Sequence, residues 1–207
     1  MDLGVGVEKL GVNTRLIVAI TGATGAIYGV RALQRLREVG VETHLVLSRW
    51  GARTLLHETS WSREQVEALA SETYAPADMG ALISSGSFRT DGMIIAPCSA
   101  KSLAAIAHGY SDNLVHRAAD VVLKERRRLV LAVREAPLSE IHLENMLKLA
   151  RMGAVILPPM PAFYNHPQSV DDVVEHTVAR ILDQFGIEVP SAMRWAGEMG
   201  VGKGGDS

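Results

Sequence analysis

The chain of 207 residues contains a single cysteine, so no internal disulfide framework holds it together and its stability must come from a buried core. Its formal net charge is −2, which leaves no basic footprint for nucleic acid or an anionic membrane. No apolar stretch approaches the ~20 residues that a membrane-spanning helix needs. The opening segment MDLGVGVEKLGVNT has neither a basic start nor an apolar block, so it does not read as a secretory signal. The expectation is a soluble, cytoplasmic protein. Seven histidines are present, yet none falls in a His-Glu-x-x-His pattern or a Cys/His ligand spacing. No metal site is expected.

What is there is ordinary for a globular domain: 47% hydrophobic and 21% charged residues, enough for one sizeable core. Residues 1–14 and 196–207 are Gly-rich and weakly patterned and read as tails around a single domain, 15–195. Five short apolar runs, Arg15–Ile20, Thr43–Leu47, Met93–Ala96, Leu129–Val133 and Ala154–Leu157, alternate with helical patterns. Such continuous runs suit strands buried on both faces. The predicted fold is α/β: a doubly wound parallel sheet of flavodoxin-like or Rossmann-like type in three α/β/α layers. Helices are predicted from Ala26 to Val39, from a Ser62/Gln65 capping box to about Glu72, and from Ser99 to His108. Others run from Asn113 to Arg128, Ser139 to Met152 and Ser169 to Phe185, while residues 74–92 read as irregular.

Each apolar run ends in a small, polar or charged cluster, and in a parallel sheet ligands bind outside the carboxyl ends of the strands. The first cluster, Thr21-Gly22-Ala23-Thr24-Gly25, is a glycine-rich strand-to-helix turn of the kind that brings backbone N–H groups to a phosphate. It lacks the Gly-Lys-Ser/Thr of a P-loop. It also departs from the dinucleotide fingerprint, because Ile20 stands where the first glycine belongs. In the looser GxxGxxG spacing Tyr28 takes the third position and Gly29 is one residue late. The second run ends in Ser48-Arg49 instead of an acidic residue for an adenosine ribose, and no tyrosine is followed four residues later by lysine. A mononucleotide fits better than NAD(P).

Pro97-Cys98-Ser99-Ala100-Lys101-Ser102 offers hydroxyls and a second helix start. Cys98 has no evident partner base, and a lone cysteine at a strand end reads first as buried packing. Arg134-Glu135 follows the fourth run directly: an arginine for a phosphate, a carboxyl for a proton. In Lys124-Glu125-Arg126-Arg127-Arg128 most cations read as a solvated helix end; Lys124, seven residues from Arg117, is the candidate to point inward. Pro158 to Tyr164 forms a rigid, apolar loop tipped by a hydroxyl.

Taken in order, these clusters resemble the UbiX-type flavin prenyltransferases. The residues that carry the likeness are Thr21 to Ala26 with Tyr28-Gly29, Pro97-Cys98-Ser99, Asn113-Leu114, Arg117 to Asp120 and Leu123 to Arg127. Arg134 to Pro137, Ile141 to Met146 and Pro161 to Tyr164 complete it. The resemblance implies a homo-oligomer, commonly a dodecamer, that binds reduced FMN and joins to its N5 and C6 the dimethylallyl group of dimethylallyl phosphate. The product, prenylated FMN, would serve a UbiD-type decarboxylase. The FMN positions of the family fall on Gly22, Ala23, Thr24, Ser48, Ser99, Ala100, Lys101, Ser102 and Arg134. Its phosphate and catalytic positions fall on Glu58, Arg117, Lys124, Arg134, Glu135, Tyr164 and Arg180, with Trp195 as a wall of the prenyl site. Thr24 stands where many members carry serine, and Trp50 adds bulk beside Ser48. Two other readings remain: an FMN-dependent cysteine decarboxylase of the same fold, whose PxMNxxMW signature is missing here, and a non-catalytic flavin-binding subunit of a decarboxylase.

Overall fold

The structure is a computed structural model that describes residues 14–189. Trp195 and, apart from Thr14, both expected tails lie outside the described residues. Six strands form one all-parallel sheet: β1 (Arg15–Ile20), β2 (Glu42–Leu47), β3 (Glu72–Tyr74), β4 (Gly92–Cys98), β5 (Arg128–Val133) and β6 (Val155–Ile156). Their spatial order is β3-β2-β1-β4-β5-β6, the Rossmann-type order of a doubly wound sheet.

The apolar runs are continuous because each strand serves two cores. Leu16, Val18 and Ile20 of β1 face one cluster, while Ile17 and Ala19 face the other. The first cluster is closed by α1 (Ala26–Glu38) and α7 (Val170–Asp183), with Leu55 of α2 (Arg49–Glu58) and Val66 of α3 (Arg63–Glu67). The second is closed by α4 (Ala100–Ala107), α5 (Leu114–Lys124) and α6 (Glu140–Arg151). The three-layer arrangement expected from the sequence follows directly. On the first side α1 is tied to α7 by ion pairs from Arg31 to Asp171 and Glu175 and from Arg35 to Glu175.

Several boundaries differ from the sequence-based expectation. Helix α2 and strand β3 were not anticipated. Gly51 in the first turn and a stripe with only Gly51 and Leu55 fully buried blur the helical period of α2, and β3 is a three-residue, largely exposed edge. The Ser62/Gln65 capping box is present in both halves, but its helix stops at Glu67, so that the chain can enter β3. Likewise α5 ends at Lys124, since Arg126 takes a left-handed conformation (φ 58°) and Arg128 already belongs to β5. Ser99, Asn113, Ser139 and Ser169, where helices were predicted to start, are N-caps that each accept a hydrogen bond from their helix.

Candidate functional site

The strand order reverses between β1 and β4, and the crevice that opens there is where ligands bind in doubly wound sheets. Thr21 holds the two strand ends together. Its hydroxyl donates to the Pro97 carbonyl (2.7 Å) and accepts the Ser99 N–H (2.8 Å), and its own N–H reaches the same carbonyl. The crevice has a volume of about 450 Å³ and is lined by the carboxyl ends of β1 (Thr21, Gly22), β2 (Ser48), β4 (Ser99 to Ser102) and β5 (Glu135). Trp50, Pro76 and Val115 add apolar wall, and Arg49 and Lys101 add positive charge.

Close approach of backbone explains the glycines. A Cβ at Gly22 would lie 2.4 Å from Trp50 Cβ, and one at Gly29 would lie 2.4 Å from the Ala96 carbonyl oxygen. Gly29, one residue late for the dinucleotide spacing, is thus the residue that lets α1 sit down on the sheet. Three helices start at the crevice, each with its cap in place. Ser48 Oγ accepts from Gly51 N–H (2.9 Å), Ser99 Oγ from Ser102 N–H (3.3 Å), and Asn113 Oδ1 from His116 N–H (3.2 Å). Helix α1 is capped differently. Gly25, at φ 94°, supplies no side chain, and the Glu58 carboxylate at the end of α2 accepts the N–H groups of Gly25 (2.8 Å) and Ala26 (3.2 Å).

Of the residues singled out in the sequence, Gly22, Ser48, Ser99, Ala100, Lys101, Ser102 and Glu135 line this one crevice. Ala23 and Thr24 belong to the same turn, with the Thr24 side chain exposed. Glu135 Oε1 accepts the Ala136 N–H of its own loop (3.1 Å). Arg134 donates its backbone N–H to the Cys98 carbonyl (3.0 Å), and its charge bears on the Tyr28 hydroxyl in the first turn of α1. Burial pushes the Tyr28 hydroxyl up, and Arg134 partly offsets this. Cys98 is fully buried and its thiol is pushed up to about 12 by that burial, which makes it packing and not a nucleophile.

The remaining candidates lie away from the crevice of this one chain. Lys124, expected to point inward, is instead half exposed with its ammonium 2.6 Å from Glu125. Arg117 donates to the Ser84 carbonyl and to Asp120. Arg180 pairs with Asp183 at 2.7 Å. Tyr164 stands edge-on to the His176 ring. Conversely, the sequence reading gave Thr21 no role of its own within the first cluster and passed over the pair Asp112 and His116. For these the available signals were a threonine at the very end of the first run, and an acid four residues before a histidine at a helix start.

Large apolar side chains remain exposed on α6, at Ile141, Leu143 and Leu147, and on the loop after β6, at Met160 and Phe163. Among the described residues no three His, Cys, Asp or Glu side chains converge as a metal site, and no helix is long and apolar enough to cross a membrane.

Comparison with known proteins places this geometry among relatives. The flavoprotein family matches residues 7–182. A probable UbiX-like flavin prenyltransferase of a Streptomyces species is 67% identical over 88% of this chain and 92% of its own length. A dodecameric FMN-dependent UbiX-like decarboxylase from Escherichia coli O157:H7 is 64% identical, with a TM-score of 0.88 over 89% of this chain and 100% of that one. A UbiX protein crystallised with FMN and dimethylallyl pyrophosphate is 52% identical, with a TM-score of 0.90 over 91% of this chain and 100% of that one.

Proposed function

The chain belongs to the UbiX-like flavin prenyltransferases of the flavoprotein family, and from that membership we propose how its own residues serve the transfer of a dimethylallyl group from dimethylallyl phosphate to reduced FMN. The observation that carries the reading is the crevice at the strand-order reversal, where Gly22, Ser48, Ser99 to Ser102 and Glu135 meet. Its residues fit a flavin mononucleotide. The volume lies in the range of small-ligand sites, roughly 300–1,000 Å³. A side chain at Gly22 has no room, helix starts and cations suit a phosphate, and Trp50, Val115 and Pro76 suit a ring system.

In this reading Gly22, Ala23, Thr24, Ser48, Ser99 to Ser102 and Arg134 hold FMN. Reduced FMN, when bound, supplies the nucleophilic ring atoms that accept the prenyl group. Glu135 stands at the crevice to receive or return the proton displaced in that exchange. Arg117, Lys124, Tyr164 and Arg180 hold the leaving phosphate, where preorganised cations stabilise a developing anion. Trp50 and the apolar wall keep water from the allylic carbon.

Because those cations stand outside the crevice of one chain, a second copy supplies them. The exposed apolar side chains of α6 and of the loop after β6 are where copies meet, in a homo-oligomer of the dodecameric kind that the Escherichia coli relative forms. Prenylated FMN is a cofactor and not an end product, so it passes to a decarboxylase of UbiD type. The test is product analysis. Purified chain is incubated without oxygen with reduced FMN and dimethylallyl phosphate, and the extracted flavin is weighed by mass spectrometry. A gain of one prenyl unit is expected. Unchanged flavin, with carbon dioxide released from a cysteinyl substrate, would move the chain to the cysteine decarboxylase reading.

A further inference from the structure

One wall of the crevice contains a chain of polar groups that runs from Ser99 and Ser102, already placed beside FMN, to His116 and Asp112, which the roles above leave unused. Ser99 Oγ lies 3.2 Å from Ser102 Oγ, which lies 3.3 Å from His116 Nε2, and His116 Nδ1 lies 2.6 Å from Asp112 Oδ1. Ser102 and His116 are almost wholly buried, and Ser99, Ser102 and His116 all line the crevice. Asp112 is on its outer side, beside Lys101 Nζ at 3.7 Å.

The protonation of this chain follows from its surroundings. Burial pushes the Asp112 carboxyl up, but the hydrogen bond and charge of His116, with the charge of Lys101, outweigh this and hold it below the usual range. Asp112 is therefore a carboxylate. Burial pulls His116 down, more than Asp112 raises it, and Lys101 lowers it further. His116 is a neutral imidazole, and the short contact with a carboxylate puts its one proton on Nδ1. The Asn113 amide, 3.1 Å from Nδ1, donates one of its two N–H groups to Asp112 Oδ1 at 2.8 Å. Nε2 is left with a lone pair, so Ser102 must donate to it. Ser99 in turn donates to Ser102, and accepts the Ser102 N–H in its role as helix cap. Both hydroxyl protons are then used within this chain of groups, which leaves only lone pairs to offer a ligand.

We propose that Asp112 and His116 are positioning residues that make the Ser99–Ser102 wall a hydrogen-bond acceptor, and that this wall favours reduced FMN over oxidised FMN. The chemical reason is that reduction adds a ring N–H to the flavin where the oxidised ring offers a lone pair. An acceptor wall welcomes the former and repels the latter. The inference rests on the reading of the crevice as the FMN site, with the flavin ring, and not the phosphate, against this wall beside Val115.

Asp112→Asn is the decisive change, because it is a surface substitution of equal size that removes the charge fixing the His116 tautomer. With an amide at this position Nδ1 can accept, Nε2 can carry the proton, and the two hydroxyls are free to donate to a ligand. The reduction potential of bound FMN is the readout. We expect the preference for reduced flavin to fall about tenfold, a shift of about −30 mV for this two-electron couple. Asp112→Glu, which keeps the carboxylate, should restore the wild-type potential. An unchanged potential in Asp112→Asn, or an equal shift in both variants, would overturn the proposal. Failure of the wild-type chain to bind FMN at all would instead refute the functional reading itself, and this inference with it.

Discussion

Thr21, Gly22 and Cys98 are neighbours at the reversal of the sheet, and each has one dominant physical constraint. Thr21 is fixed by two hydrogen bonds that join β1 to β4, Gly22 by the 2.4 Å approach of Trp50 Cβ, and Cys98 by burial alone. The last has a direct consequence. Its thiol, pushed up to about 12, stays protonated throughout the physiological range, and no solvent path reaches it. In the folded chain iodoacetamide at about pH 8 should leave Cys98 unmodified, whereas in urea the thiol returns to an ordinary pKa of about 8.5 and reacts. Peptide mass mapping after each treatment decides this. Rapid labelling of the native protein would show an accessible thiolate and reopen the question of a nucleophile. Substitution of Cys98 by serine has a different liability, since a buried hydroxyl there would need a partner.

At the scale of elements, helix α1 and its loop carry the most tightly determined contact. Gly29 touches the Ala96 carbonyl and Ile20, where a methyl group would meet atoms at 2.4 and 2.5 Å. Gly29→Ala brings a better helix former, worth up to ~1 kcal/mol, yet overpacking costs about 1–3 kcal/mol. The clash is with backbone and cannot be relieved by a rotamer, so the cost prevails. The midpoint of thermal unfolding should fall by several degrees, while Gly80→Ala, whose nearest neighbour is 3.6 Å away, should leave it almost unchanged. A Gly29→Ala protein as stable as wild type would mean that α1 does not seat this closely. The same helix shows what a sequence reveals of an element and what it conceals. The run Arg15–Ile20, the glycine turn and the apolar period of α1 are local patterns, and they were readable. Strand β3 is three exposed residues and α2 buries only Gly51 and Leu55, so neither has a pattern to read. The cap that Glu58 places on α1 joins residues more than thirty positions apart. It is visible only once both helices are in place.

At the scale of the whole molecule, the crevice was legible because an apolar run that stops at the carboxyl end of a parallel strand delivers its next residues there. Ser48, Ser99 and Glu135 are instances. The wall of Ser102, His116 and Asp112 was not legible, since it needs α4 beside α5, a packing outcome that no single segment encodes. Nor does the sequence tell which chain of an assembly offers Arg180 or Tyr164 to a given crevice. The structure leaves Arg180 paired with Asp183 and outside the crevice, so the proposed phosphate role of Arg180 requires a site completed by a second copy. Two single variants test this. Glu135→Gln removes the carboxyl proposed to handle the proton and should slow prenyl transfer by ~10²–10⁴-fold, and Arg180→Ala removes a cation proposed to hold the leaving phosphate. Each variant alone is expected to be nearly inactive. The two are unfolded together, refolded, and shown by native mass spectrometry to form mixed oligomers, and the prenylated flavin they produce is then measured by mass. If one site takes Glu135 from one copy and Arg180 from another, random mixing in a symmetric assembly leaves about a quarter of the sites intact, with activity restored to about that fraction. Mixed oligomers that make no more prenylated flavin than the separate variants would place both residues in one chain's site and contradict the account.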